Sequence, residues 1–225
     1  IHILLDGVFS HTGADSRYFN RYGRYPECGA YQSPDSPYAS WYTFRSRPDD
    51  YVAWWDFENL PEVREEDPAF SQYINGENGI VRRWLRAGVA GWRLDVADEL
   101  PDWFIEKLRT AVEETDPEAF VLGEVWEDPS NKTAYGELRC YCTGDTLDCA
   151  MNYPLREAVL AFMTCRMHAP EFVRRVESMR ENQPKPFFYS QMNLLSSHDR
   201  PRALSVLADV GNMEPERKYR YPIEH

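Results

Sequence analysis

Apolar and polar positions along this chain fall into short alternating blocks whose spacing predicts strands and helices in turn. Ile1-His2-Ile3-Leu4-Leu5 opens a run that reads as a buried strand over residues 1–9, ending at Asp6-Gly7-Val8-Phe9 and passing into polar Ser10-His11-Thr12-Gly13. From there to about Val63 neither a helical nor a two-residue period holds. Turn residues are frequent, and Trp41, Tyr42, Phe44, Tyr51, Trp54, Trp55 and Phe57 are scattered among them. An irregular stretch of that length in a compact domain is usually functional. Residues 12–63 are therefore read as an inserted subdomain, whose aromatics serve as core filler or as contact surface.

Asp67-Pro68 supplies a cap and a first-turn proline. Phe70, Tyr73, Ile74, Ile80, Val81, Trp84 and Leu85 then keep helical spacing through Gly76 and Gly79, up to a stop at Gly88. Residues 89–96 read as a strand, 101–114 as an amphipathic helix with Phe104, Leu108, Ala111 and Val112 inward, and 120–125 as a strand. Residues 149–153 add a strand and 155–162 a helix. Residues 171–180 read as a helix with Phe172, Val173, Val176 and Met179 inward, and 188–196 as a fifth strand. Strands alternating with helices predict an α/β fold with a parallel sheet.

Composition narrows the function. The 225 residues carry 37 acidic and 25 basic side chains, a net charge of −12, which argues against a nucleic-acid or anionic-membrane partner. With 43% hydrophobic residues a packed core is expected and disorder is excluded. No apolar run approaches the roughly 20 residues of a membrane-spanning helix, so a soluble chain is expected. The five cysteines are an odd set without zinc-type spacing, which predicts free thiols, no metal site and a reducing, cytoplasmic setting. The chain starts on a strand-like run with neither Met nor leader, so it reads as the interior of a longer protein.

Four predicted strand ends carry ionisable groups: Asp6 with His11, Arg93 with Asp95, Glu124 before Trp126, and His198 with Asp199. Singly these are weak signals, since an Asp after a strand is more often a turn former or helix cap, as Asp98 and Asp102 near Pro101 illustrate. In a parallel α/β barrel, however, all strands open their C-terminal ends on one face, where residues distant in sequence converge. Arg93, two residues before Asp95 on the same strand face, is placed to hold that carboxylate ionised.

The segments Asp6-Gly7-Val8-Phe9-Ser10-His11, Gly91-Trp92-Arg93-Leu94-Asp95-Val96-Ala97, Gly123-Glu124-Val125-Trp126 and Ser197-His198-Asp199 resemble, in order and context, the four short regions of the alpha-amylase family of glycoside hydrolases (family 13). The resemblance is closest to the neopullulanase, cyclomaltodextrinase and maltogenic amylase subgroup. It implies a (β/α)8 barrel of which residues 1–225 represent about strands 3 to 7, with residues 12–63 an inserted substrate-binding subdomain. It further implies retaining cleavage of α-1,4, and by extension α-1,6, glucosidic bonds in maltodextrins, cyclodextrins or pullulan. Asp95 would be the nucleophile, Glu124 the acid and base, kept protonated by a neighbouring carboxylate and burial against Trp126, and Asp199 the third carboxylate. The nucleophile and acid would lie about 5 Å apart. Asp6, His11, Arg93, Trp126 and His198 would line the sugar site.

No cofactor is implied as required. The structural calcium of many relatives is tied to an Asn, and Ser10 stands in that place here. Arg64 replaces another Asn common in the subgroup, and Asp98-Glu99 after Ala97 points to the neopullulanase type. A homodimer of a longer parent and loss of activity in the isolated segment are expectations of the same resemblance. Two other readings stay open: an exo-acting α-glucosidase or glucanotransferase, and a non-catalytic amylase-like binding scaffold, which usually lacks one of the three acids.

Overall fold

The computed structural model describes residues 1–208, which divide into two compact units: Ile1–Val125 with Pro129–Ala150, and Trp126–Asp128 with the residues from Met151 on. The first unit contains, in chain order, β1 (Leu4–Gly7), β2 (Phe44–Ser46), β3 (Asp50–Tyr51), α1 (Pro68–Asn75), α2 (Ile80–Arg86), β4 (Gly91–Leu94), α3 (Asp102–Thr115), β5 (Phe120–Gly123), β6 (Thr133–Ala134), β7 (Glu137–Leu138) and β8 (Cys149–Ala150). Four of these strands form one parallel sheet in the order β1-β4-β5-β8. The register sets Asp6 beside Arg93 and Arg93 beside Leu122, so the polar C-terminal ends of β1, β4 and β5 are level. That levelling positions the site.

The elements form for local reasons. Asp67 caps α1 by accepting the amides of Ala69 and Phe70, both at 2.9 Å, and Pro68 has the φ of a first turn. The single helix expected to run past Gly76 and Gly79 is instead two, because both glycines have extended backbones (ψ 172° and 171°) and break the hydrogen-bond ladder. α3 buries Phe104, Ile105, Leu108, Ala111 and Val112, one face at helical period, and packs against α1, α2 and β5.

The inserted segment has its own aromatic centre. Phe19, fully buried, has ring neighbours Tyr31, Tyr42, Phe44 and Tyr51 at 4.8–5.9 Å between centroids. Trp41 packs between Tyr18, Tyr38, Tyr73 and Phe70 of α1. Single β-bridges His11–Glu62, Tyr42–Val63 and Ala53–Pro61 stitch its ends together. The aromatics thus divide: Trp41, Tyr42 and Tyr51 are core, whereas Trp55 and Phe57 are exposed.

The second unit holds α4 (Tyr153–Met163), α5 (Ala169–Asn182), α6 (Lys185–Ser190) and α7 (Ala203–Ala208). The strand expected over 188–196 does not form. Pro184 and Pro186 set up the first turn of α6, and of the remaining run only Met192 makes a β-bridge, parallel to Met151. Val173, expected inward on α5, is exposed, and Met179 is the buried member of that face. Asn152 caps α4 by accepting the Leu155 amide at 3.1 Å. None of the five cysteines forms a disulfide, and among the described residues no helix is long and apolar enough to cross a membrane.

Candidate active site

The sheet ends bring Asp6, Arg93, Asp95 and Glu124 together around one guanidinium. Arg93 Nη1 donates to Asp6 Oδ1 and to Asp95 Oδ1, each at 2.6 Å, and its Nη2 pairs with Glu124 Oε2 at 2.9 Å. Side-chain exposure ranks the partners: Glu124 5%, Asp95 20% and Asp6 58%, around an arginine that is 11% exposed. Burial alone would weaken the hold of Arg93 on its proton. The three carboxylates outweigh burial and raise its pKa above the usual arginine value.

Backbone geometry aims these groups. The Asp95 amide donates to the Gly7 carbonyl and the Glu124 amide to that of Leu94, so both acids continue the sheet ladder one residue beyond their strands. Val96 then turns sharply with φ 41° and ψ 60°, a left-handed conformation that a β-branched residue rarely adopts. Its amide donates to Glu124 Oε2 at 2.8 Å, and the next amide, of Ala97, donates to the Glu124 carbonyl at 3.2 Å. Val96 carries no signal in the sequence for this role.

His11 sits at the entry to the inserted segment. Its Nδ1 pairs with the buried Ser10 hydroxyl at 3.0 Å, and its ring stacks on Trp54 at 4.9 Å between centroids. Burial lowers its pKa from the ordinary imidazole value, while the charges of Asp95 and Glu99 oppose that shift. Ser10, in the place of the calcium-linked Asn, is thus committed to His11. Among the described residues no cluster of three or more His, Cys, Asp or Glu side chains is arranged to hold a metal ion.

Asp98 and Asp102 do more than cap or turn. Arg139, largely buried, donates to Asp102 Oδ1 and to the Asp98 carbonyl, each at 2.7 Å, and also to the Leu100 carbonyl. Lys132 pairs with Asp98 at 2.9 Å, and the Tyr141 hydroxyl donates to Asp98 at 2.7 Å. These bonds fasten the loop after β5 to the segment that follows Asp95. The sequence offered no pairing signal here, since the partners lie some forty positions apart.

The other three expected site residues lie in the second unit. His198 Nε2 pairs with Asp199 Oδ2 at 3.1 Å, and the Asp199 amide donates to the Ser197 hydroxyl at 3.2 Å, which also pairs with the Tyr153 hydroxyl. Buried Arg156 donates to the carbonyls of Leu195 and Pro201 and so holds both ends of that turn. Trp126 packs on Tyr153, and the Arg200 guanidinium lies over its ring, 4.1 Å from the centroid.

A family model described as the alpha amylase catalytic domain matches residues 1–221. An amylopullulanase from Thermoanaerobacterium saccharolyticum is 36% identical over 238 residues, covering 92% of this chain and 18% of the relative. A neopullulanase 2 from Thermoactinomyces vulgaris is 30% identical over 213 residues, covering 91% of this chain and 33% of the relative. The chain therefore spans a third or less of these relatives' length. Among solved structures, the cyclic α-maltosyl-(1→6)-maltose hydrolase of Arthrobacter globiformis superposes with a TM-score of 0.80 at 26% identity, covering 92% of this chain and 44% of that one.

Proposed function

The chain belongs to the alpha-amylase catalytic-domain family, and from that premise we propose that it carries the catalytic centre of a retaining α-glucan hydrolase whose parallel strands form part of a (β/α)8 barrel. One observation carries the reading: a single guanidinium holds Asp95 and Glu124, on adjacent strand ends, as its neighbours. Two carboxyl groups side by side at one sugar carbon are what double displacement requires.

In this reading Asp95 attacks C1 of a glucosyl residue while Glu124 gives a proton to the departing glycosidic oxygen. The C1–oxygen bond breaks and a glycosyl ester on Asp95 forms. Glu124 then takes a proton from water, whose oxygen displaces Asp95 from C1 with net retention. Arg93 orients both acids, and Asp6 shares its charge at the neighbouring strand end. The family resemblance assigns His11 and His198 to sugar hydroxyls, Asp199 to the role of third carboxylate and Trp126 to the sugar site. No step needs a metal. The names of the relatives support starch-derived substrates, in which maltodextrin, cyclodextrin and pullulan compete.

The test is turnover and product configuration by the natural full-length protein and its Asp95→Asn and Glu124→Gln variants on maltoheptaose, β-cyclodextrin and pullulan. Each variant is expected to lose at least roughly a thousandfold in kcat, equivalent to about 4 kcal/mol of barrier. Turnover within threefold of wild type in either variant, or products of inverted anomeric configuration, overturns the reading.

A further inference from the structure

Trp55 and Tyr135 stand out among the exposed side chains, with 60% and 77% of their surface open. They come from separate loops, the inserted segment and the hairpin between β6 and β7, yet both are tied to one carboxylate. Trp55 Nε1 donates to Glu99 Oε1 at 3.1 Å, and the Tyr135 hydroxyl donates to Glu99 Oε2. Glu99 lies four residues after Asp95.

The backbone adds a second indication. Trp55, Asp56 and Tyr135 all have left-handed φ values, 48°, 61° and 53°. Such conformations are costly for residues with side chains and persist where the surrounding structure imposes them. Tyr135-Gly136, with φ 53° and 82°, occupies the tip of the two-residue hairpin turn that presents the phenol outward. The hairpin itself is fastened by the bonds of Arg139 and Lys132 to Asp98 and Asp102. Trp55 also stacks on Trp54 at 4.7 Å and 11°, and Trp54 stacks on His11, so a ladder of three rings leads from the β1 end to the surface.

Resting on the function proposed above, we propose that Trp55 and Tyr135 form a two-loop aromatic clamp, latched by Glu99, that stacks an outer glucose residue of the bound α-glucan. Trp41 and Tyr42 are buried and Trp54 is engaged by His11 and Trp55, so of these rings Trp55 is the one that offers a broad surface. The polar tips of Trp55 and Tyr135 are occupied by Glu99, which leaves the Trp55 face opposite Trp54 and the Tyr135 ring face as the contact surface. A flat apolar face matches the C–H face of a pyranose. Glu62 and Glu66 lie in the same electrostatic neighbourhood as Glu99, which disfavours an anionic ligand and suits a neutral sugar.

The experiment uses the natural full-length protein carrying Asp95→Asn, so that ligand is not consumed, titrated with maltoheptaose and with maltose by calorimetry and tryptophan fluorescence. Trp55→Ala is expected to weaken maltoheptaose binding roughly tenfold. It should abolish most of the fluorescence change and leave maltose within twofold. Tyr135→Ala should weaken maltoheptaose less, and Glu99→Ala, which unlatches both rings, at least as much as Tyr135→Ala. Trp55→Tyr, which keeps a ring face, should retain affinity within about threefold. Both side chains are exposed, so thermal melting should match the parent and report folding separately. Maltoheptaose affinity within twofold of the parent in Trp55→Ala and Tyr135→Ala overturns the clamp, as does a parent that binds maltoheptaose no better than maltose. Failure of the catalytic reading would show elsewhere, as wild-type turnover in the Asp95→Asn protein.

Discussion

Replacing Arg93 by methionine tests the central geometry, because it removes one cation from among three carboxylates while keeping a chain of similar length. The share due to Asp6, more than half exposed, is heavily screened and is set aside. Glu124 and Asp95 remain, 5% and 20% exposed, around an arginine that is 11% exposed. Removing one partner from a buried ion pair typically costs 3–5 kcal/mol, and partial solvation of Asp95 argues for the lower end, about 3 kcal/mol. If the same contacts orient both acids in the reaction, a comparable loss of transition-state stabilisation corresponds to a fall in kcat/KM of roughly 150-fold. Arg93→Lys retains the charge but presents one nitrogen where a fork now reaches three acids, so it should cost about 1 kcal/mol and roughly fivefold in rate. Urea unfolding with a constant m-value, paired with kcat/KM on maltoheptaose, reads both quantities. A methionine variant that loses under about 1 kcal/mol and stays within threefold in kcat/KM would show that the guanidinium organises nothing.

Three further outcomes follow from single positions. Gly91→Ala should abolish folding or cost at least about 3 kcal/mol: Gly91 has φ 150° and an added Cβ would lie 2.1 Å from the Phe120 carbonyl oxygen in the middle of the sheet, and a melting temperature within a few degrees of wild type would contradict this. Burial, reinforced by Glu62, Glu66 and Glu99, pushes the Glu65 carboxyl up to about 8, so the folded state keeps a proton that the unfolded chain releases from about pH 4.5 upward. Stability is therefore lost as pH rises through that window, and Glu65→Gln should gain about 1–2 kcal/mol at pH 8 and little at pH 4, measured by urea unfolding at both. His11 has the opposite slope: with its folded pKa below 6.5, the unfolded chain binds the proton first, so the fold loses stability as pH falls through that range. A His11→Asn variant should lose less stability than wild type between pH 7 and 5, and equal losses would refute the assignment.

What the sequence made legible and what it hid follow from the range of the forces involved. Strands β1, β4 and β5 are short apolar runs flanked by Gly and polar residues, and parallel pairing is the local consequence, so the grouping of Asp6, Arg93 and the residues just beyond was foreseeable from strand order. The run 188–196 was not, because Phe187-Phe188-Tyr189 satisfies strand and helix patterns alike and the decision rests on Pro184 and Pro186. Aromatic spacing in residues 12–63 equally left each ring's role open. Trp41 and Trp55 are the same residue type in the same stretch, yet one packs on α1 while the other faces solvent.

Val96 marks the sharper limit. Nothing about valine announces a left-handed backbone, and its side-chain preference argues against one. Only the surrounding bonds explain it: the Asp95 amide is committed to Gly7 and the Ala97 amide to Glu124, so the intervening residue must turn to satisfy both. The same turn brings its own amide to the Glu124 carboxylate, and the strain is thereby linked to the position of the proposed acid. A residue chosen by local propensity would have relaxed there, and the Glu124 side chain would have lost a donor that no side-chain substitution can replace.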